Sequence, residues 1–222
     1  MNERILEPEV AAYLDAVDWV LGLVASPEVA AAWTGPSSLA RYSTGGVAAH
    51  VVMGAIIRLD GLLAEAEPLE RRPVGLPESF LPNRVEDPEV EDELFARVRQ
   101  AAEKLAQGGP AGVLAAAAES LAHLRAILPT ASLDRAMTLL RVPDGRMTLR
   151  DTLRTRILEV VVHGDDLVAS VPGWAALGPP DRAVDICLGV CLELAKARLG
   201  GMGALRAFTR AERAEPDALR VL

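Results

Sequence analysis

The chain has 222 residues, half of them hydrophobic, and a formal charge of −8. That length and apolar content suit one domain with a sizeable core, expected to span 1–222 with its core at about 8–200 and a tail at 201–222. The acidic balance, the absence of a Lys/Arg cluster and an aromatic content of 4% argue against nucleic acid or an anionic membrane as partner.

The start, MNERILEPEVAAYL, carries acids where a signal peptide carries bases, and no apolar run approaches the roughly 20 residues that span a bilayer. A cytoplasmic protein is expected. Residues 8–25 place Val10, Tyr13, Leu14, Val17, Val20 and Leu21 on one helical face, with Pro8 suited to the first turn. WTGPSSLARYST reads as a loop, after which Ser43 or Thr44 offers an N-cap for a second helix over 45–66. Residues 67–88 hold five prolines and no clean period, so a long loop with a covering or binding role is expected there.

Helical pattern returns over 88–107, breaks at Gly108-Gly109-Pro110 and resumes over 111–128. AMTLLRVPDGRMTL then predicts a short extended excursion near 136–147, turning around Pro143-Asp144-Gly145. Thr148-Leu-Arg-Asp151 matches a capping box and opens a helix that runs to about Val171. A further amphipathic helix over 181–199 ends at Gly200-Gly201, and a polar tail follows. Cys187 and Cys191, four apart in that helix, suit reduced, packed thiols better than a disulfide. Long helices with mostly short links give an all-α fold, an antiparallel four-helix bundle with an additional C-terminal helix.

The chemistry gathers in EVVVHGDDL, residues 159–167. Glu159 and His163 stand in a run of valines, and neither is buried cheaply without a partner. Four apart, they share a helix face with Cβ atoms about 5–6 Å apart. A surface ion pair, a hydrogen-bonded core histidine and a metal ion are the three readings. The second helix adds His50, a single ionisable residue inside GGVAAHVVMGAII. Brought together around a divalent ion, such groups on two apolar helices would satisfy one another, while the ion-pair and core-histidine readings stay open on spacing alone. His50, Glu159 and His163 make a two-histidine, one-carboxylate set, and three protein ligands leave a position for water or substrate, the catalytic arrangement for zinc. Iron, nickel and cobalt fit the same donors. Asp166, three past His163, is placed to orient a ligand or to act as a base, whereas Asp165 points elsewhere.

His123, in ESLAHLRAIL, has no acid or histidine at ligand spacing and reads as structural or exposed. No G-x-S-x-G and no strand-following G-x-G-x-x-G occurs, which leaves serine-hydrolase and dinucleotide chemistry without support.

TLRTRILEVVVHGDDL resembles the R-x-x-E-x-x-x-H-x-x-D-L signature of the mycothiol-dependent maleylpyruvate isomerase N-terminal domain family, within the DinB-like superfamily. AAWTGPSSLARYSTGGVAAHV resembles that family's W…S…V-x-x-L-x-x-H block, without the tryptophan many relatives carry just before the second helix. The resemblance implies a DinB-like bundle holding a divalent metal, usually zinc, on His50, Glu159 and His163, with Asp166 at the family's motif aspartate. It implies mycothiol as a low-molecular-weight thiol cosubstrate, with a small electrophilic molecule as its target. The isomerases proper carry a separate C-terminal domain, for which the residues after 171 are too few. The expected function is therefore a metal-dependent thiol S-transferase or isomerase. Its alternatives are a hydrolase or lyase using bound water, and a non-catalytic ligand-binding bundle.

Overall fold

A computed structural model describes residues 6–80, 93–139, 142–213 and 219. Helix α1 (Pro8–Val24) starts on a proline, whose missing N–H costs nothing in a first turn, and buries Val10, Tyr13, Val17, Val20 and Val24. A short helix α2 (Pro27–Ala32) follows, capped by the Ser26 hydroxyl, which accepts from the Val29 N–H at 3.2 Å.

The second long helical run is built in three pieces. Helix α3 (Thr44–Val52) passes into a π-helical turn (Met53–Ile57) and then into α4 (Arg58–Ala64). Strand β1 (Arg72–Pro73) and α5 (Leu76–Phe80) come next, then α6 (Glu93–Ala106) and α7 (Gly109–Ile127). Strands β2 (Ala136–Thr138) and β3 (Gly145–Thr148) pair antiparallel and lead into α8 (Leu149–Ala169) and α9 (Asp181–Thr209). The bundle forms as expected: α8 packs against α1, α3 and α9, and α7 lies against the α3–α4 run. Its core is aliphatic, with Ile56, Leu59, Leu124, Leu149, Leu153, Ile157 and Leu167 fully buried around Tyr13.

Three expectations need correction. The described part of the 67–88 loop is ordered: β1 pairs parallel with β3, and α5 packs against α9. Arg72 holds this segment through ion pairs to Glu78 and Asp144, partners that no local period reveals. Residues 81–88 lie outside the described residues. Gly200 breaks the last helix as expected, at a positive φ of 71° that a residue without Cβ adopts cheaply, but helix resumes beyond it to Thr209 where a polar tail was expected. Finally, two runs, Thr44–Ala64 and Gly109–Thr130, are long and apolar enough by length and composition to cross a membrane. Half of the first one's apolar window is buried inside the protein, and it carries His50 and Asp60.

Candidate metal centre

His50 is delivered by α3, whose N-terminus is fixed twice over. The Ser43 hydroxyl accepts from the Gly46 N–H at 2.9 Å. The Glu103 carboxylate from α6 accepts from the Ser43 N–H and hydroxyl, each at 2.8 Å. An acid at a helix start also complements the positive end of the helix dipole. Gly46 is what admits it, since a Cβ there would fall 2.1 Å from Glu103 Oε1.

Glu159 and His163 come from α8, which begins where the capping motif places it. The Thr148 hydroxyl accepts from the Asp151 N–H at 3.1 Å. Three valines in a row favour a strand by local preference, yet the cap and the burial of Leu153, Ile157 and Val160 hold the segment helical. Gly164 lets α1 close on this helix. The Trp19 ring occupies the place of its side chain, 2.2 Å from where a Cβ would stand.

The two helices bring the three side chains together. Glu159 Oε2 lies 3.7 Å from His50 Nε2 and 3.6 Å from His163 Nε2. The imidazole rings meet edge to face with centroids 4.7 Å apart. One donor atom from each of the three falls within 4.8 Å of the others, the one such group of His, Cys, Asp and Glu among the described residues. Donors about 2.1 Å from a tetrahedral ion stand about 3.4 Å apart, so small side-chain adjustments suffice to close this set on one cation. All three are half-buried, with side-chain exposures of 17%, 32% and 18%, which leaves a route in for a small molecule.

Each donor is oriented from behind. His163 Nδ1 lies 2.9 Å from Asp166 Oδ2, an arrangement that puts the ring proton on Nδ1 and turns the Nε2 lone pair to the cluster. Asp166 is itself tied down, for Ser38 Oγ lies 3.4 Å from its Oδ1 and also donates to its backbone carbonyl. The Ser38 N–H donates to the Ser170 hydroxyl at 3.0 Å. The loop carrying Ser38 reverses at Arg41, φ 70°, and sets the Tyr42 hydroxyl 3.5 Å from His50 Nδ1. Arg156 faces Glu159 Oε1 from the same helix.

The charges follow from these neighbours. Burial works to raise the Glu159 pKa, but the neighbouring His50 ring, the Arg156 guanidinium and the His163 ring outweigh it and bring the pKa down to about 2. Burial works to lower the His163 pKa, but the bond to Asp166 and the nearby Glu159 charge raise it above the ordinary histidine value. The site holds an ionised carboxylate between two imidazoles, which is what a divalent cation needs.

A family model described as the mycothiol maleylpyruvate isomerase N-terminal domain matches residues 13–168. The chain belongs to this family. Among curated proteins and among solved structures, none matches it. The family match takes in His50, Glu159, His163 and Asp166 and stops before α9.

The remaining sequence candidates lie elsewhere. His123 is half-exposed and bonds Asp60 on α4 at 2.6 Å, a partner too far along the chain for spacing to reveal. Asp165 is exposed. Cys187 and Cys191 are free, and burial pushes the Cys187 thiol up to about 12, which makes it a packing residue. Sequence reasoning gave no role to Ser38, Tyr42 or Arg156. Only Arg156 left a trace, as the arginine that opens the R-x-x-E stretch.

Proposed function

We propose that this member of a mycothiol-associated family is a metal-dependent enzyme acting on a small electrophilic molecule, with mycothiol as thiol cosubstrate. In this reading His50, Glu159 and His163 hold one divalent ion. The observation that carries the reading is the convergence of three donors from two helices within 4.8 Å of one another. Zinc suits two imidazoles and a carboxylate with a position left open, and nickel, iron and cobalt are compatible. When bound, such an ion supplies the Lewis acidity that makes a thiol acidic at neutral pH.

The chain's own residues do the rest. Glu159 keeps a negative charge at the centre of the cluster, which offsets the charge of the cation. Asp166 holds the Nδ1 proton of His163. Both its carboxylate oxygens face protein groups, Oδ2 the His163 ring and Oδ1 the Ser38 hydroxyl, so we read its part as fixing His163 rather than touching substrate. The thiol class comes from the family, and the outcome is S-transfer or isomerisation. We further propose that 1–222 form one domain, since α9, beyond the family match, packs on α1 and α8. A cytoplasmic setting agrees with the two free thiols.

Calorimetry of the zinc-loaded protein with mycothiol tests the thiol. Saturable binding that releases a proton, and that a His163→Ala variant loses, is the expected result. No binding at millimolar thiol would point instead to a hydrolase or lyase that uses water at the open position. A protein that takes up neither metal nor thiol would be a non-catalytic ligand-binding bundle.

A further inference from the structure

The two oxygens of Glu159 have different neighbours. Oε2 faces the two histidines, whereas Oε1 faces Nη2 of Arg156 at 4.0 Å, an ion-pair distance. The same guanidinium is anchored on a second helix, where its Nη1 donates to the Gly54 carbonyl at 3.1 Å. Its Nε donates to the Thr155 hydroxyl at 3.3 Å. A side chain with one fixed fork therefore bridges the helix of Glu159 and the helix of His50.

Gly54 belongs to the π-helical turn Met53–Ile57, which begins three residues after His50. π turns are rare and concentrate at functional sites because they redirect backbone groups that a regular helix keeps to itself. Here two consecutive carbonyls of the turn accept from side chains of other helices. Gly54 accepts from Arg156 on α8, and Ala55 accepts from the buried Tyr13 hydroxyl on α1 at 2.8 Å. A Cβ placed on Gly54 would meet Arg156 Nη1 and Glu159 Oε2, both at 3.9 Å, so the turn runs directly alongside the ion pair.

We propose that Arg156 is the positioning residue of the metal centre: anchored on the π-turn carbonyl, it engages Oε1 of Glu159 so that Oε2 alone is presented to His50 and His163. This rests on reading those three residues as the ligands. Its consequence is a carboxylate that ligates through one oxygen, which keeps a coordination position free for the reacting molecule. It also locks the spacing between the helices that supply the donors. An ammonium cannot stand in for the guanidinium, because only the planar fork holds a carbonyl and a carboxylate in fixed directions at once.

Cobalt(II), whose visible absorption reports coordination, separates this role from simple helix stapling. It is titrated into the metal-free wild type, Arg156→Met and Arg156→Lys, while thermal unfolding of each metal-free protein is followed by circular dichroism. The wild type should bind one cobalt per chain. Both variants should bind about 10–100-fold more weakly, the scale for losing a group that orients a ligand, and with an altered visible spectrum. Arg156→Lys retains the stem and the charge, so it decides the matter if the methionine variant does not fold. A lysine variant with wild-type cobalt affinity and spectrum overturns the proposal, whatever its unfolding temperature. A wild type that binds no cobalt overturns the ligand assignment itself, an outcome distinct from loss of the Arg156 role alone.

Discussion

A histidine that is to bind a cation must give up one ring proton and keep the other in a known place. His163 meets both conditions through Asp166, which takes the Nδ1 side of the ring and leaves Nε2 to the cluster. The same contact makes the site pH-sensitive. In the metal-free protein the His163 pKa is raised. Its contribution to stability is therefore fully present below the ordinary histidine value of about 6.5 and is lost as pH rises through the raised value. Glu159, lowered to about 2, works the other way, contributing above about 4.5 and losing that contribution as pH falls to 2. Metal binding needs the deprotonated ring, so it strengthens over the range in which the metal-free site weakens. The increase in unfolding temperature on adding zinc should be larger at pH 8 than at pH 6, as read by calorimetric scans. An increase that is equal or smaller at pH 8 would remove His163 from the ligand set.

Between the elements, the contact of α1 with α8 lies next to the site. Trp19 fills the space above Gly164, directly after His163, and its indole N–H donates to the Leu177 carbonyl at 2.8 Å. Gly164→Ala should destabilise the protein by about 1–3 kcal/mol through overpacking, less the fraction of a kcal/mol that alanine gains in a helix. The expected drop in unfolding temperature is about 2–4 °C per kcal/mol. Combined with Trp19→Phe, which removes the clashing ring atoms, it should cost less than the two single losses summed. Strict additivity would show that the two residues do not meet. The helices themselves were largely legible, because Pro8, Ser43, Thr148 and Gly109 mark their starts by local chemistry. The π turn was not, since nothing in MGAII separates it from regular helix. It is held by Tyr13 and Arg156, and contacts across 42 and 102 residues leave no local pattern.

At the scale of the molecule, the histidine pair and its glutamate were visible because apolar helices carry polar groups only for a reason. Apart from Asp166, three residues from His163, what the chain order hid is the set of contacts that fixes the elements around them. Ser38 and Ser170 tie the loop to α8, Glu103 fixes the start of α3, and Asp60 claims His123. Each is a long-range partner whose residue type is common on any surface. The β1–β3 pairing stayed hidden for the same reason, as two-residue strands carry no period. The bundle therefore has two layers of information: periodic apolar faces that specify the helices, and scattered polar contacts that turn three side chains toward one point.

That convergence is tested most directly by elemental analysis of the purified wild-type protein beside a folded His50→Ala variant. One divalent ion per chain is expected in the wild type and far less than one in the variant, because two donors on α8 do not retain what three hold. Stoichiometric metal in His50→Ala, or a wild type that stays well below one ion per chain after exposure to zinc, would contradict it.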